Sequence, residues 1–302
     1  MEVVPGIHRI ESDLGVRFMC QFLFTGGERT LLLDTGLSRT PVDAIAPYLD
    51  SIGMTLEDID DVIISHADVD HMGGNRLLRE RNPGARFHCH ETDRRWIESN
   101  AVMVAENYSW HRAYGFPEMD ADSQRQMTTD LGGDSPIDVG LSGGETVRLD
   151  SDWRVDILHL PGHTMGHLGI WDARSGAVVI IDAVLERGIY DRQGNRLIPP
   201  RYYDARAYQT TIRRLISLQP NVLLTAHYEV MEGSDGVAWL EKGLRYTYDL
   251  HEVVREGIAD GVTGLWELTQ YADKRLGPYP EFMTELGASV RAHMGTPGMP
   301  VV

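Results

Sequence analysis

The sequence predicts an α/β protein of layered sheets and helices, followed by a purely helical C-terminal stretch. Three observations carry this. Apolar runs of strand character alternate with segments of helical spacing in two successive halves. Over residues 236–293 only helical spacing persists. Residue types that bind metals recur where predicted strands end, which is where layered α/β folds assemble their sites.

In the first half, residues 7–10, 18–24 and 31–33 read as strands. Gly26-Gly27 turns the second into the third. Residues 41–51 read as a helix, with Ile45, Tyr48, Leu49 and Ile52 at helical spacing. A short turn at 55–59 leads into a strand at 61–65. A helix at 74–81 ends at Asn82-Pro83-Gly84, and a further strand covers 87–90. Residues 92–140 are polar, mostly helical in pattern and rich in Met, Trp and Tyr, which suits an insertion forming a lid or pocket wall. In the second half, strands are expected at 145–149, 153–160, 169–172 and 177–181, with Arg174-Ser175-Gly176 turning the last hairpin. A helix at 204–218 and a strand at 222–225 complete it. Two regions follow from this pattern, 1–230 with its insertion and a helical region at 231–302.

Composition narrows the function. Lys and Arg total 28 against 45 Asp and Glu, a net charge of −17, which repels phosphate backbones and disfavours nucleic acid as a partner. The two cysteines, Cys20 and Cys89, cannot form a disulfide framework and suit a reducing cytoplasm. No run approaches the roughly 20 apolar residues of a membrane helix, and the first residues do not resemble a signal peptide. The expectation is a cytoplasmic protein acting on a small molecule, with the C-terminal helices as a candidate homodimer contact.

The chemistry concentrates in His66-Ala67-Asp68-Val69-Asp70-His71, between the apolar run Val62-Ile63-Ile64 and Gly73-Gly74. Four metal-ligand types crowd into six residues. Downstream come His163 in Pro161-Gly162-His163-Thr164, Asp182 after Val178-Val179-Ile180-Ile181, and His227 after Val222-Leu223-Leu224. Singly, each has a plainer reading: a helix-capping loop, a structural histidine, a turn aspartate. Together they suggest a dinuclear metal site, since imidazoles and carboxylates hold divalent ions while leaving a position for water.

These residues resemble the metallo-β-lactamase superfamily, whose signature is His-x-His-x-Asp-His, then a His in a Pro-Gly-His-Thr loop, a bridging Asp and a final His. Asp34-Thr35-Gly36, Gly73-Gly74 and Gly166-His167 also match, and the likeness spans about residues 6–228. It implies an αββα sandwich with a C-terminal helical appendage. It also implies one ion on His66, Asp68 and His163, a second on Asp70, His71 and His227, and Asp182 bridging both. Asp68 is the departure, standing where the family carries His. With three aspartates and a hydroxide, two divalent ions give a neutral site. The added oxygen ligand raises the odds of iron or manganese, with zinc still the leading expectation.

The expected function is metal-dependent hydrolysis of an ester, lactone or thioester, with Asp70 catalytic in orienting water or taking its proton. Asp34 and His167 are expected behind the ligands, and Tyr190 or Tyr228 is a candidate donor to substrate. His88, His90 and His111 are assigned to packing. An iron-dependent oxygenase or sulfur dioxygenase is the alternative, and a non-catalytic binding protein ranks below it.

Overall fold

A computed structural model describes residues 1–295. Seven strands lie side by side in chain order in the first sheet: β1 (Glu2–Val4), β2 (Ile7–Leu14), β3 (Arg17–Thr25), β4 (Thr30–Leu33), β5 (Asp61–Ile64), β6 (Arg86–His90) and β7 (Val139–Leu141). The first four are antiparallel, and β4 to β7 run parallel. The second sheet contains β8 (Thr146–Arg148), β9 (Arg154–His159), β10 (Leu168–Asp172) and β11 (Ala177–Ile181). A separate hairpin pairs β12 (Ile189–Tyr190) with β13 (Arg196–Ile198). β14 (Val222–Thr225) then joins β11 in parallel, and β15 (Met231–Glu232) closes the edge.

Period-two alternation explains the layering. Leu31, Leu33 and Ile63 meet Ile157, Ile170, Val179 and Ile181 in a core between the sheets. Their neighbours Leu32, Val62 and Ile64 face the other way, onto Ile45, Leu49 and Leu78 of the helices over the first sheet. Val178, Ile180 and Leu223 face the helices over the second sheet. The result is the expected four-layer αββα sandwich.

The helices Ser234–Ala259, Leu265–Leu276 and Met283–Met294 fill the predicted C-terminal region; residues 296–302 of that region lie outside those described. They supply the outer layer: Leu240, Tyr246, Leu250, Leu265 and Leu286 share one core with Val178, Ile180 and the helix Ala205–Leu218. Asp204 caps that helix, its side chain accepting from the Ala207 N–H at 2.8 Å. The insertion forms short helices from Arg94 to Asp130 and returns through β7, a strand the sequence pattern did not announce. The short strands β1, β12, β13 and β15 were equally silent; two or three residues carry no readable period.

Candidate metal centre

The run His66 to His71 leaves β5 and turns into the helix Val69–Met72. Gly73, which ends that helix, lets the insertion approach it, because a Cβ there would meet the Asp130 carbonyl oxygen at 2.1 Å. Gly162 does the same for the His163 loop: its φ is 138°, and a Cβ would strike Tyr208 Cα at 2.4 Å. Asp182 follows β11 directly. Ile181 before it holds a φ of 50°, costly for a β-branched residue and of a kind that concentrates at functional sites.

These turns bring all seven expected ligand residues together. Three overlapping groups have potential ligand atoms within 4.8 Å of one another: His66, Asp68 and His163; His66, His71 and Asp182; Asp70, His71 and His227.

The hydrogen bonds behind the rings fix the tautomers. His71 Nδ1 lies 2.9 Å from Asp34 Oδ2, so Nδ1–H donates and Nε2 is left to face the cluster. His227 Nδ1–H donates to the Phe18 carbonyl at 3.0 Å, and His163 Nδ1–H to the Arg201 carbonyl at 2.9 Å. The Ser65 hydroxyl donates to Asp34 at 2.8 Å and so accepts from His66 Nδ1 at 2.9 Å. All four Nε2 atoms therefore point inward. Asp34, expected from the sequence as a supporting residue, also accepts the Ser65 N–H at 2.7 Å.

The inner atoms are of two kinds. His71 Nε2, His227 Nε2 and Asp182 Oδ1 are buried and have no hydrogen-bond partner among the described residues. The two nitrogens face carboxylates instead: His71 lies 3.5 Å from Asp182 and 3.7 Å from Asp70, and His227 lies 3.3 Å and 3.5 Å from the same two. Buried carboxylates packed against imidazole nitrogens call for positive charge between them, as a proton on the ring or as a metal ion. Their titration reports the same deficit. Burial alone would lower the pKa of His71, yet Asp70 and Asp182 outweigh it and hold the ring well above its usual value; His227 is raised for the same reason. These donors fit a divalent ion.

The other half already contains a cation. Arg201, which the sequence reading did not single out, follows Pro199-Pro200 and is 5% exposed in its side chain. Its Nη2 bonds Asp68 Oδ2 and lies 3.0 Å from His163 Nε2. Asp68 Oδ2 is 3.1 Å from both His66 Nε2 and His163 Nε2. Burial would raise the Asp68 pKa, but the Arg201 guanidinium beside it is the main influence holding the carboxylate well below the ordinary range.

Further residues buttress the cluster. Tyr108, from the insertion, accepts the Val69 N–H at 2.9 Å and donates to Asp68 at 3.4 Å. Asn107 donates to the Ala67 carbonyl at 3.2 Å and accepts from Tyr203 at 2.6 Å. Buried Asp93 accepts from Thr164 and from the Gly166 N–H, tying down the His163 loop. Tyr108, Asn107 and Asp93 stand in no motif; only their lying in an insertion expected to wall the pocket pointed to them. His167 stacks on His66 with centroids 4.6 Å apart, and both its nitrogens lack partners among the described residues. Tyr228 spends its hydroxyl on the Leu185 and Gly188 carbonyls, and Tyr190 lies 3.4 Å from Glu186. His88 pairs with Asp61, His90 stacks on His159, and His111 packs on Trp110 and Phe116.

A two-sheet sandwich with a histidine–aspartate cluster at its strand ends defines a class, and the sequence places this chain within it. The model of the metallo-beta-lactamase superfamily matches residues 21–227, so the chain belongs to that superfamily. Among individual relatives, "Probable metallo-hydrolase YqjP" of Bacillus subtilis (strain 168) is 21% identical over 235 residues, covering 73% of this chain and 70% of that protein. The crystal structure of the metallo-beta-lactamase family protein TTHA1429 from Thermus thermophilus aligns over 97% of this chain and 93% of its own, with a TM-score of 0.73 and 20% identity. A beta-lactamase domain protein from Burkholderia ambifaria aligns over 97% and 86%, with a TM-score of 0.69 and 18% identity. At these identities the structures establish the fold. No helix among the described residues is long and apolar enough to cross a membrane.

Proposed function

We propose that this protein is a metal-dependent hydrolase of a small organic substrate, with an ester, lactone or thioester as the bond cleaved. The observation that carries this reading is the set of buried, unpartnered donors His71 Nε2, His227 Nε2 and Asp182 Oδ1 converging beside Asp70. Asp70, His71, His227 and Asp182 would hold the ion. Bound there, a divalent ion supplies an acidified water and a Lewis acid for a substrate oxygen.

The chain's own residues do the rest. Asp34 holds His71 in the ligating tautomer, as carboxylates behind metal-bound histidines do. Asp70 is the most open carboxylate of the cluster, its side chain 17% exposed against 5% for Asp182. It is therefore the residue to orient water or accept its proton. The net charge of −17 disfavours nuclease chemistry within this superfamily. The carboxylate-rich donor set keeps an iron-dependent redox reaction as the second reading.

The test is elemental analysis of protein purified without chelator, followed by substrate screens. Zinc or manganese with ester, lactone or thioester turnover supports the hydrolase. Predominant iron with oxygen consumption would replace it with the redox reading.

A further inference from the structure

We infer that the Arg201 guanidinium is the resident cation of the His66–Asp68–His163 half of the cluster, so that this protein carries one catalytic metal ion and not two. The inference rests on the reading that the Asp70–His71–His227–Asp182 half binds metal.

Three observations lead to it. The first is position. Arg201 engages both nitrogens of one ring: its carbonyl accepts from His163 Nδ1 at 2.9 Å, and its Nη2 reaches His163 Nε2 at 3.0 Å. Because Nδ1 carries the proton, Nε2 presents a lone pair, and Arg201 donates into it. That is the lone pair a metal would use. The same Nη2 bonds Asp68 Oδ2, which lies 3.1 Å from the inward nitrogens of His66 and His163. Three acceptors converge there, and the guanidinium supplies the positive charge they share.

The second is rigidity. The backbone around Arg201 is fastened on both sides. The Tyr203 N–H donates to the Gly162 carbonyl at 2.8 Å, the Tyr202 N–H to Ser289 Oγ at 3.0 Å, and Ser289 in turn to the Pro200 carbonyl at 2.8 Å. Arg201 Nε lies 3.0 Å from Glu285 Oε2 on the C-terminal helix. The guanidinium is thus held from behind by the helical region and in front by Asp68.

The third is charge. Asp68, Asp70 and Asp182 bring three negative charges to the cluster. Arg201 lies between Asp68 and Glu285, which leaves Asp70 and Asp182 to face one divalent ion. A second divalent ion would have to enter beside a buried guanidinium that uses the same ligand atoms. Asp68 then has a reason to differ from the family's histidine: a neutral imidazole cannot neutralise Arg201, and a carboxylate can.

The experiment is metal titration of the chelator-stripped full chain with Zn²⁺ and Mn²⁺, read by calorimetry and by elemental analysis after desalting. About one ion per chain is expected for the wild type and for Arg201→Lys, and about two for Arg201→Met. Two ions in the wild type, or one ion in Arg201→Met, would overturn the inference. No binding to the wild type would overturn the metal reading itself and this inference with it. Should Arg201→Met not fold, electron paramagnetic resonance of the Mn²⁺-loaded wild type decides independently. Isolated-ion spectra are expected at saturation, and a spin-coupled pair would refute the inference.

Discussion

Around His66, Asp68 and His163, every ring nitrogen lies within hydrogen-bond distance of a protein group, and a guanidinium is seated among them. In the adjoining half, His71 and His227 direct Nε2 at Asp70 and Asp182 and have no hydrogen-bond partner there among the described residues. Both halves use imidazoles and carboxylates carried by loops at strand ends. The difference lies in what covers them. The His163 side is closed by residues 200–203 and the C-terminal helix, which deliver Arg201. Among the described residues, none hydrogen-bonds to the inward nitrogens of the His227 side. Equivalent ligand chemistry can therefore end as an ion pair or as a metal pocket, depending on whether the fold brings a cation of its own.

The contrast gives four predictions. The largest effect should follow Asp182→Ala, which removes the carboxylate facing both orphaned rings. Turnover in metal-replete samples should fall below detection and metal affinity with it, while circular dichroism and the thermal midpoint stay close to wild type. Retained turnover would remove the metal pocket from the comparison.

Asp68→Asn should behave in the opposite way. It leaves the Arg201 charge buried without its main partner, and breaking such a pair costs about 3–5 kcal/mol. Denaturant unfolding of the metal-free protein should show the loss. An unchanged midpoint would mean that the Arg201 pair does not organise its half.

Acid should loosen the clamp behind Arg201. His293 lies on the helix that carries Glu285, and its Nε2 accepts from the Tyr202 hydroxyl at 2.8 Å. Burial, with His251 nearby, pushes its pKa down to about 3. The unfolded chain takes up this proton below about pH 6.5 and the folded chain does not. The stability tied to a neutral His293 is thus complete above pH 6.5 and is lost as pH falls toward 3. Between pH 7 and 4 the expected loss is on the order of 3 kcal/mol. His293→Gln should flatten that part of the stability–pH curve; an unchanged curve would rule the group out.

The smallest effect is expected for Asp34→Ala, which frees the His71 ring. Losing such a support lowers metal affinity about 10–100-fold, measurable by competition with a chromophoric chelator. An unchanged affinity would show that packing alone orients His71.

Much of this was legible in the sequence. The order His66, Asp68, Asp70, His71, His163, Asp182, His227, each after a strand-like run, placed all seven residues in one cluster. The long strands were readable because burial imposes a period of two, which also separates Leu31 and Leu33 from Leu32 between layers. Asp34 could be expected behind the ligands because Asp34-Thr35-Gly36 resembles the family's pattern, and the structure sets it after β4, beside β5. Tyr190 and Tyr228 illustrate the limit: nearness in sequence to Asp182 and His227 said nothing of where their hydroxyls bond.

The sequence by itself determined the layered α/β fold, the helical C-terminal region and which seven residues meet in one cluster, because these depend on local periodicity and on motifs carried by single loops. The tertiary structure alone decided what stands opposite each ligand. Arg201 and Asp68 are 133 positions apart, and Arg201 belongs to no motif. Only the packing of the C-terminal helix and the His163 loop around residues 200–203 seats that charge in the cluster. Charge complementarity in a buried site is a property of distances, and distances between remote segments are set by the packed core.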